Sequence, residues 1–174
     1  MTLQEVKESF RTVQDFPKKG IQFIDFTTAL KKPECIKTMS DALCDYYKDK
    51  GITKVVGIES RGFFMATAIC TRIDAGFVPL RKPGKLPAET ISESYQKEYG
   101  TDTIEIHKDA LTEDDVVLLH DDILATGGTV FAAIKLIKKF NVKKIYLNFI
   151  GEIDFLGGRE KIDKEIDVYS LFHV

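Results

Sequence analysis

No apolar run in the 174-residue sequence approaches the ~18 residues a membrane span needs. Its start, MTLQEVKESF, has neither a basic leader nor an apolar signal core. The expectation is a protein that neither crosses nor contacts a membrane and is not exported. Charge of one sign is also missing: 25 Lys+Arg meet 27 Asp+Glu, a formal net charge of -2. So even a balance excludes the pervasive positive field of a nucleic-acid binder, although a local basic patch stays open. The three cysteines, Cys35, Cys44 and Cys70, form no CxxC pair, which excludes a disulfide framework and a zinc site and fits thiols in a reducing cytoplasm. His107, His120 and His173 are equally scattered, so a tightly bound transition metal is not expected. What is present is ordinary: 44% hydrophobic and 30% charged residues, with no internal repeat. At this length one core buries roughly 70% of the unfolded surface, so residues 1–174 are expected to form one domain.

Leu3, Val6, Phe10 and Val13 recur at helical spacing, which predicts a helix over residues 3 to 13, ended by DFPKKG. IQFIDFT, 21 to 27, reads as extended chain, and a second helix is predicted from about Glu34 to Lys50 with Gly51 closing it. Strands and helices then alternate: TKVVGI (53 to 58), the helix GFFMATAIC, GFVPL (76 to 80), VVLLH (116 to 120), a helix from about Gly128 to Phe140, and KKIYLNFI (143 to 150). That alternation predicts an α/β fold with a parallel sheet covered on both faces, which binds ligands at the carboxyl ends of its strands. One region departs from it. Between Arg81 and Asp109, Pro, Gly and Lys give way to two alternating runs, TISESY and DTIEIH, around Gly100, which predicts a hairpin lid.

The most informative stretch is VVLLHDDILATGGT, residues 116 to 129. Gly127 and Gly128 let backbone N–H groups approach an anion, Thr126 and Thr129 add hydroxyl donors, and the helix that follows points its N-terminus at the same place. This composition suits one phosphate. Asp121 and Asp122 are poor neighbours for a phosphate but good acceptors for sugar hydroxyls, and they can hold waters around a divalent cation. Together they describe a ribose 5-phosphate site. Read singly, the diacid is a solvated turn and TGGT a helix cap; strand, diacid and TGGT in this order favour the site. GxxxxGK[ST] is absent and no GxGxxG follows a strand, which argues against a P-loop NTPase and a dinucleotide fold.

With these residues in place, the sequence resembles the type I phosphoribosyltransferases, whose motif for 5-phospho-α-D-ribose 1-diphosphate (PRPP) has this form. DFPKKGIQFIDFT, GIESRGF, RKPGKLPAET, SYQKEYG and IEIHKDAL, in that order, are similar to the family's adenine branch over nearly the whole chain. The resemblance implies a central parallel sheet of about five strands, a hood at about 15–30 and a lid at about 81–109. The reaction it implies is adenine plus PRPP giving AMP and diphosphate. Mg²⁺ would be held mainly through substrate and water, with Asp121 and Asp122 as candidate contacts, and the usual assembly would be a homodimer.

The resemblance also implies residue roles. Ala125, Thr126, Gly127, Gly128 and Thr129 would hold the 5'-phosphate, and Asp121 and Asp122 the ribose. Glu59, Ser60, Arg61 and Gly62 would form the diphosphate loop, with the peptide between Glu59 and Ser60 in cis; alone, Arg61 reads equally well as a surface ion-pair partner. Arg81, Lys82 and Lys85 would meet the diphosphate, some of them across a dimer interface, and alone read as a solvated basic loop. Glu98 would take the proton at purine N7, with Arg61 as its catalytic counterpart; unaided, Glu98 reads as an exposed loop carboxylate. Phe23 and Ile123 would sandwich the base, while backbone groups of Gln22 and Ile24 pair with it. Three positions depart from the family pattern: Ile24 where arginine is common, Lys19 where proline is common, and His120 where valine is usual. His120 reads better as a core histidine than as a ribose-site neighbour. The alternatives are a phosphoribosyltransferase for xanthine or guanine, and a non-catalytic PRPP sensor of the purine-repressor kind.

Overall fold

The computed structural model describes residues 1–16, 19–20, 22–96 and 100–174. Its elements, in order, are α1 (Leu3–Glu8), β1 (Arg11–Gln14), β2 (Gln22–Asp25), α2 (Thr27–Leu30), α3 (Pro33–Tyr47), β3 (Lys54–Ile58), α4 (Gly62–Ile73), β4 (Gly76–Leu80), β5 (Thr90–Gln96), β6 (Thr101–His107), β7 (Val116–Leu124), α5 (Gly128–Lys138), β8 (Lys144–Glu152), two short 3-10 turns and β9 (Asp167–His173). The central sheet has five strands in the order β4-β3-β7-β8-β9. Every neighbouring pair in it is parallel. Two antiparallel ribbons stand apart from it: β1-β2 near the start, and β5-β6, in the stretch where the sequence predicts a hairpin.

Both faces of the sheet are buried, and the side chains divide as a two-residue period requires. Val117 and Leu119 of β7 enter one apolar cluster with α5, whereas Leu118 between them enters a second with α3 and α4. Each of the three is fully buried, a gain of about 1.5–3 kcal/mol per large aliphatic side chain before conformational entropy is set against it. α3 is fastened to the sheet by Tyr47, whose hydroxyl donates to the Leu147 carbonyl at 2.7 Å.

The predicted helix over 3 to 13 is corrected to a single short helix followed by a strand. A Thr2–Glu5 capping box starts α1, and the chain leaves it at Ser9. Phe10 instead meets Phe172 edge-on at 5.1 Å, and residues 11–14 pair with β2, fixed by an Arg11–Asp25 ion pair. Tertiary pairing overrides a helical spacing too short to hold by itself.

Candidate functional site

Strand β3 ends at Ile58 and β4 at Leu80, directly opposite each other. The residues that follow these ends therefore meet. Glu59 accepts from Arg81 through both oxygens, from Nε at 3.1 Å and Nη2 at 3.2 Å, and from the Lys82 backbone N–H at 2.9 Å. Arg81's hydrogen bond is the main cause holding the Glu59 carboxyl below its ordinary range. The Glu59–Ser60 peptide is cis. Lys85 joins through its backbone carbonyl, which accepts from Arg81 Nη1 at 3.3 Å.

Gly62 opens α4 against the end of β7. A Cβ there would lie 2.9 Å from the His120 carbonyl oxygen and 3.1 Å from Asp121 Oδ1, so only glycine permits this approach. It brings Arg61 Nε to 2.8 Å from the buried Asp122 Oδ2, an ion pair lying outside hydrogen-bond geometry. The same guanidinium stands 5.6 Å from the centre of the Phe23 ring, linking the Asp121–Asp122 end of β7 to β2. Burial, then the charge of Asp122, raises the Asp121 carboxyl well above the usual carboxylate range. Asp121 is thereby biased toward its neutral form, which can donate as well as accept toward hydroxyl groups.

After β7 the chain turns through residues 125–127 into α5. Gly127 has a φ of 88° and no side chain caps the helix, so its first N–H groups are open to an anion. Two adjoining cavities share Asp121, Tyr95 and Thr129. One, of about 370 Å³, is lined by Glu59, Ser60, Arg61, Arg81, Lys82 and Asp122; the other, of about 340 Å³, by Ile123 and residues 125–130.

The structure therefore brings together the residues of the phosphate, ribose and diphosphate readings. Gln22, Phe23 and Ile24 lie on β2, which has β1 as its single strand neighbour among the described residues. Its other edge leaves backbone donors and acceptors free of strand partners. Glu98 and Tyr99 lie outside the described residues. His120 sits in the core: fully buried, its Nδ1 lies 2.7 Å from Asn148 Oδ1, and burial pushes its pKa down to about 4. Tyr95 and Asp102 are the residues that sequence reasoning missed; the signal was their facing positions across the hairpin about Gly100.

An uncapped helix start, a carboxyl pair and a cationic pocket beside the strand ends are what a protein of the sugar-phosphate-binding class would need. Comparison with known proteins is more specific. The phosphoribosyl transferase domain family matches residues 27–170. An adenine phosphoribosyltransferase of Bacteroides thetaiotaomicron is 57% identical over 171 residues, covering 98% of this chain and 97% of that protein. One of Halothermothrix orenii is 51% identical over 167 residues, 96% and 98% of the two. Among solved structures, adenine phosphoribosyltransferase of Rhodothermus marinus superposes with a TM-score of 0.92 at 46% identity, covering 99% and 98% of the chains. The Giardia lamblia enzyme complexed with 9-deazaadenine gives 0.95 at 42% identity, covering 100% and 98%. The chain belongs to the adenine phosphoribosyltransferase family, and its fold is that of the type I phosphoribosyltransferases. No helix among the described residues is long and apolar enough to cross a membrane.

Proposed function

We propose that the protein joins adenine to PRPP, forming AMP and diphosphate in purine salvage, and that residues 1–174 work as one domain with a hood at about 15–30 and a lid at about 81–109. The observation that carries this reading is the meeting of the two cavities at Asp121. A ribose resting there points its 5'-phosphate to the residue 125–129 loop and its C1' substituent to Arg61, Arg81 and Lys82.

In the reaction the bond from C1' to the diphosphate oxygen breaks, N9 of adenine bonds to C1' with inversion, and the imidazole proton leaves through N7. Arg61, Arg81 and Lys82 stabilise the negative charge that grows on the departing diphosphate; Glu59 holds Arg81 and the Lys82 backbone in place for this. The N-terminus of α5 fixes the far end of the sugar, so that C1' lies between leaving group and base. Glu98 is the acceptor assigned to the proton. Phe23 and Ile123 enclose the ring, and the open edge of β2 at Gln22 and Ile24 offers backbone groups to it. A 6-oxopurine presents the reverse donor and acceptor pattern and leaves buried groups unpaired, at about 1–3 kcal/mol each.

Asp122 Oδ2 is a buried acceptor without a hydrogen-bond partner, an oxygen that a magnesium-bound water can satisfy. Arg61 already supplies positive charge beside it, so the carboxyl pair fits an outer contact, with the metal held mainly by substrate oxygens and water. Mg²⁺ bound this way supplies neutralisation of the diphosphate. A homodimer is supported by the apolar edge of the sheet, where Phe77 of β4 and Phe64 of α4 are exposed. A cytoplasmic setting is supported by three free, buried cysteines.

A panel of adenine, hypoxanthine, guanine and xanthine with PRPP tests the reading. Fast turnover is expected with adenine alone, and a 6-oxopurine used in its place overturns it. Arg61→Ala and Glu98→Gln each lower kcat; wild-type rates in both variants would remove the residue roles and leave the reaction standing.

A further inference from the structure

The wall between the two cavities holds a chain of contacts from three elements. Thr129 Oγ1, at the start of α5, donates to the Tyr95 hydroxyl at 2.9 Å. That hydroxyl donates to Asp102 Oδ2 at 3.2 Å, and Lys82 Nζ pairs with the same oxygen. The other oxygen, Oδ1, accepts the Thr103 N–H at 2.9 Å. Tyr95 and Asp102 face each other across the lid ribbon, so this one rung ties the lid to the phosphate loop and to the diphosphate pocket together. Burial lowers the pKa of Lys82, but the hydrogen bonds and charges of Asp102 and Tyr95 together outweigh it and raise it above the ordinary lysine value.

A carboxylate oxygen and a phosphate oxygen are equivalent acceptors for an ammonium group, and two such anions against one lysine repel each other. We propose that Asp102 is a positioning residue: it holds Lys82 and the Tyr95 hydroxyl at the wall of the pocket until PRPP arrives, then yields Lys82 to the diphosphate. The exchange rests on the reading of Lys82 as a diphosphate contact. It makes the charge of Asp102 a competitor of substrate, so affinity for the anion is set lower than the cations alone would give, and product diphosphate leaves more readily for the same reason.

The test measures the binding of magnesium diphosphate by calorimetry, and the KM values for PRPP and adenine, in wild type, Asp102→Asn, Asp102→Glu, Lys82→Gln and the Lys82→Gln/Asp102→Asn double variant. Asp102→Asn is expected to tighten diphosphate and lower the PRPP KM by about two- to fivefold, the scale of one partly exposed ion pair, with the adenine KM unchanged. Asp102→Glu, which keeps the charge, restores wild-type affinity, as a purely structural role would not predict. In the Lys82→Gln background the Asn substitution is expected to have a smaller effect than in wild type. If Lys82→Gln weakens diphosphate while Asp102→Asn leaves it equal or weaker, the exchange is wrong and the Lys82 reading stands. If Lys82→Gln leaves diphosphate unchanged, the Lys82 reading falls and the exchange with it. Asp102→Ser carries the same expectation should the asparagine variant fold poorly.

Discussion

The close approach of α4 to β7 gives the strongest single test of how the site is built. Gly62→Ala places a methyl group 2.9 Å from the His120 carbonyl oxygen, 3.1 Å from Asp121 Oδ1 and 3.3 Å from Asp121 Cα. Two of these atoms are backbone, in a strand flanked by β3 and β8 with His120 in register with Gly57 and Asn148. β7 cannot retreat without breaking pairs on both sides, so the first turn of α4 must move. Overpacking of this kind costs about 1–3 kcal/mol. For a chain of 174 residues that is a fall of about 3–10 °C in Tm.

The displaced turn carries Arg61, and an error on the order of 1 Å in a substrate-positioning group lowers kcat/KM roughly 10²-fold. Gly76→Ala is the control, because its new methyl group would meet the Lys54 side chain at 3.2 Å, a flexible group that can swing away. It is expected to leave Tm and turnover near wild type. Thermal melts and the kcat/KM for PRPP, followed by conversion of labelled adenine to AMP, decide the matter. If Gly62→Ala matches Gly76→Ala in Tm and stays within about twofold of wild type in kcat/KM, contact with β7 does not position the diphosphate loop.

Gly127→Ala forces an L side chain to a φ of 88° and drives its Cβ to 2.4 Å from the Phe131 ring; the PRPP KM is expected to rise about tenfold or more with the adenine KM little changed, since an alanine in that left-handed conformation costs roughly 1–2 kcal/mol, and steady-state kinetics showing no rise would remove the loop from phosphate binding. Hydrogen bonds from Thr27, then Arg11, pull the Asp25 carboxyl from 3.8 down to about 2. A carboxyl depressed in the folded state stabilises fully above its unfolded pKa and loses that contribution as pH falls through the folded value. In urea unfolding the advantage of wild type over Asp25→Asn should therefore shrink between pH 6 and pH 3; a constant gap contradicts the assignment. Burial pushes the Cys44 thiol up to about 11, and Cys35 and Cys70 are buried with it. Ellman's reagent at pH 8 should accordingly find no fast-reacting thiol in the native protein and all three after denaturation, and rapid labelling of the native protein would contradict the packing.

What could be read from the sequence was whatever is local. Residues 121–129 sit within nine consecutive positions, so acceptors, turn and helix start declare themselves together. The β5-β6 hairpin was legible because the alternation on both sides of Gly100 can pair in only a few registers. α1 and β1 merged into one expected helix because Phe10 and Val13 have the right spacing; what unwinds them is β2, which arrives after a turn and holds Arg11 through Asp25. Strand β9 escaped notice because DVYSLFH does not alternate and its evidence is a neighbour, β8, that no local pattern announces. The pocket around Glu59 and Arg81 falls between these cases. Glu59 and Arg81 are 22 residues apart and meet because β3 and β4 are adjacent and end in register, Ile58 opposite Leu80. Strand order is the missing datum, and once it is known the contact follows. It also changes the sense of Glu59. Its place in the loop put it among the diphosphate contacts, but an anion does not attract another anion, and both of its oxygens are already committed to Arg81 and the Lys82 N–H. Glu59 is therefore placed to act on an anion indirectly, by fixing the Arg81 guanidinium and the Lys82 backbone beside the pocket.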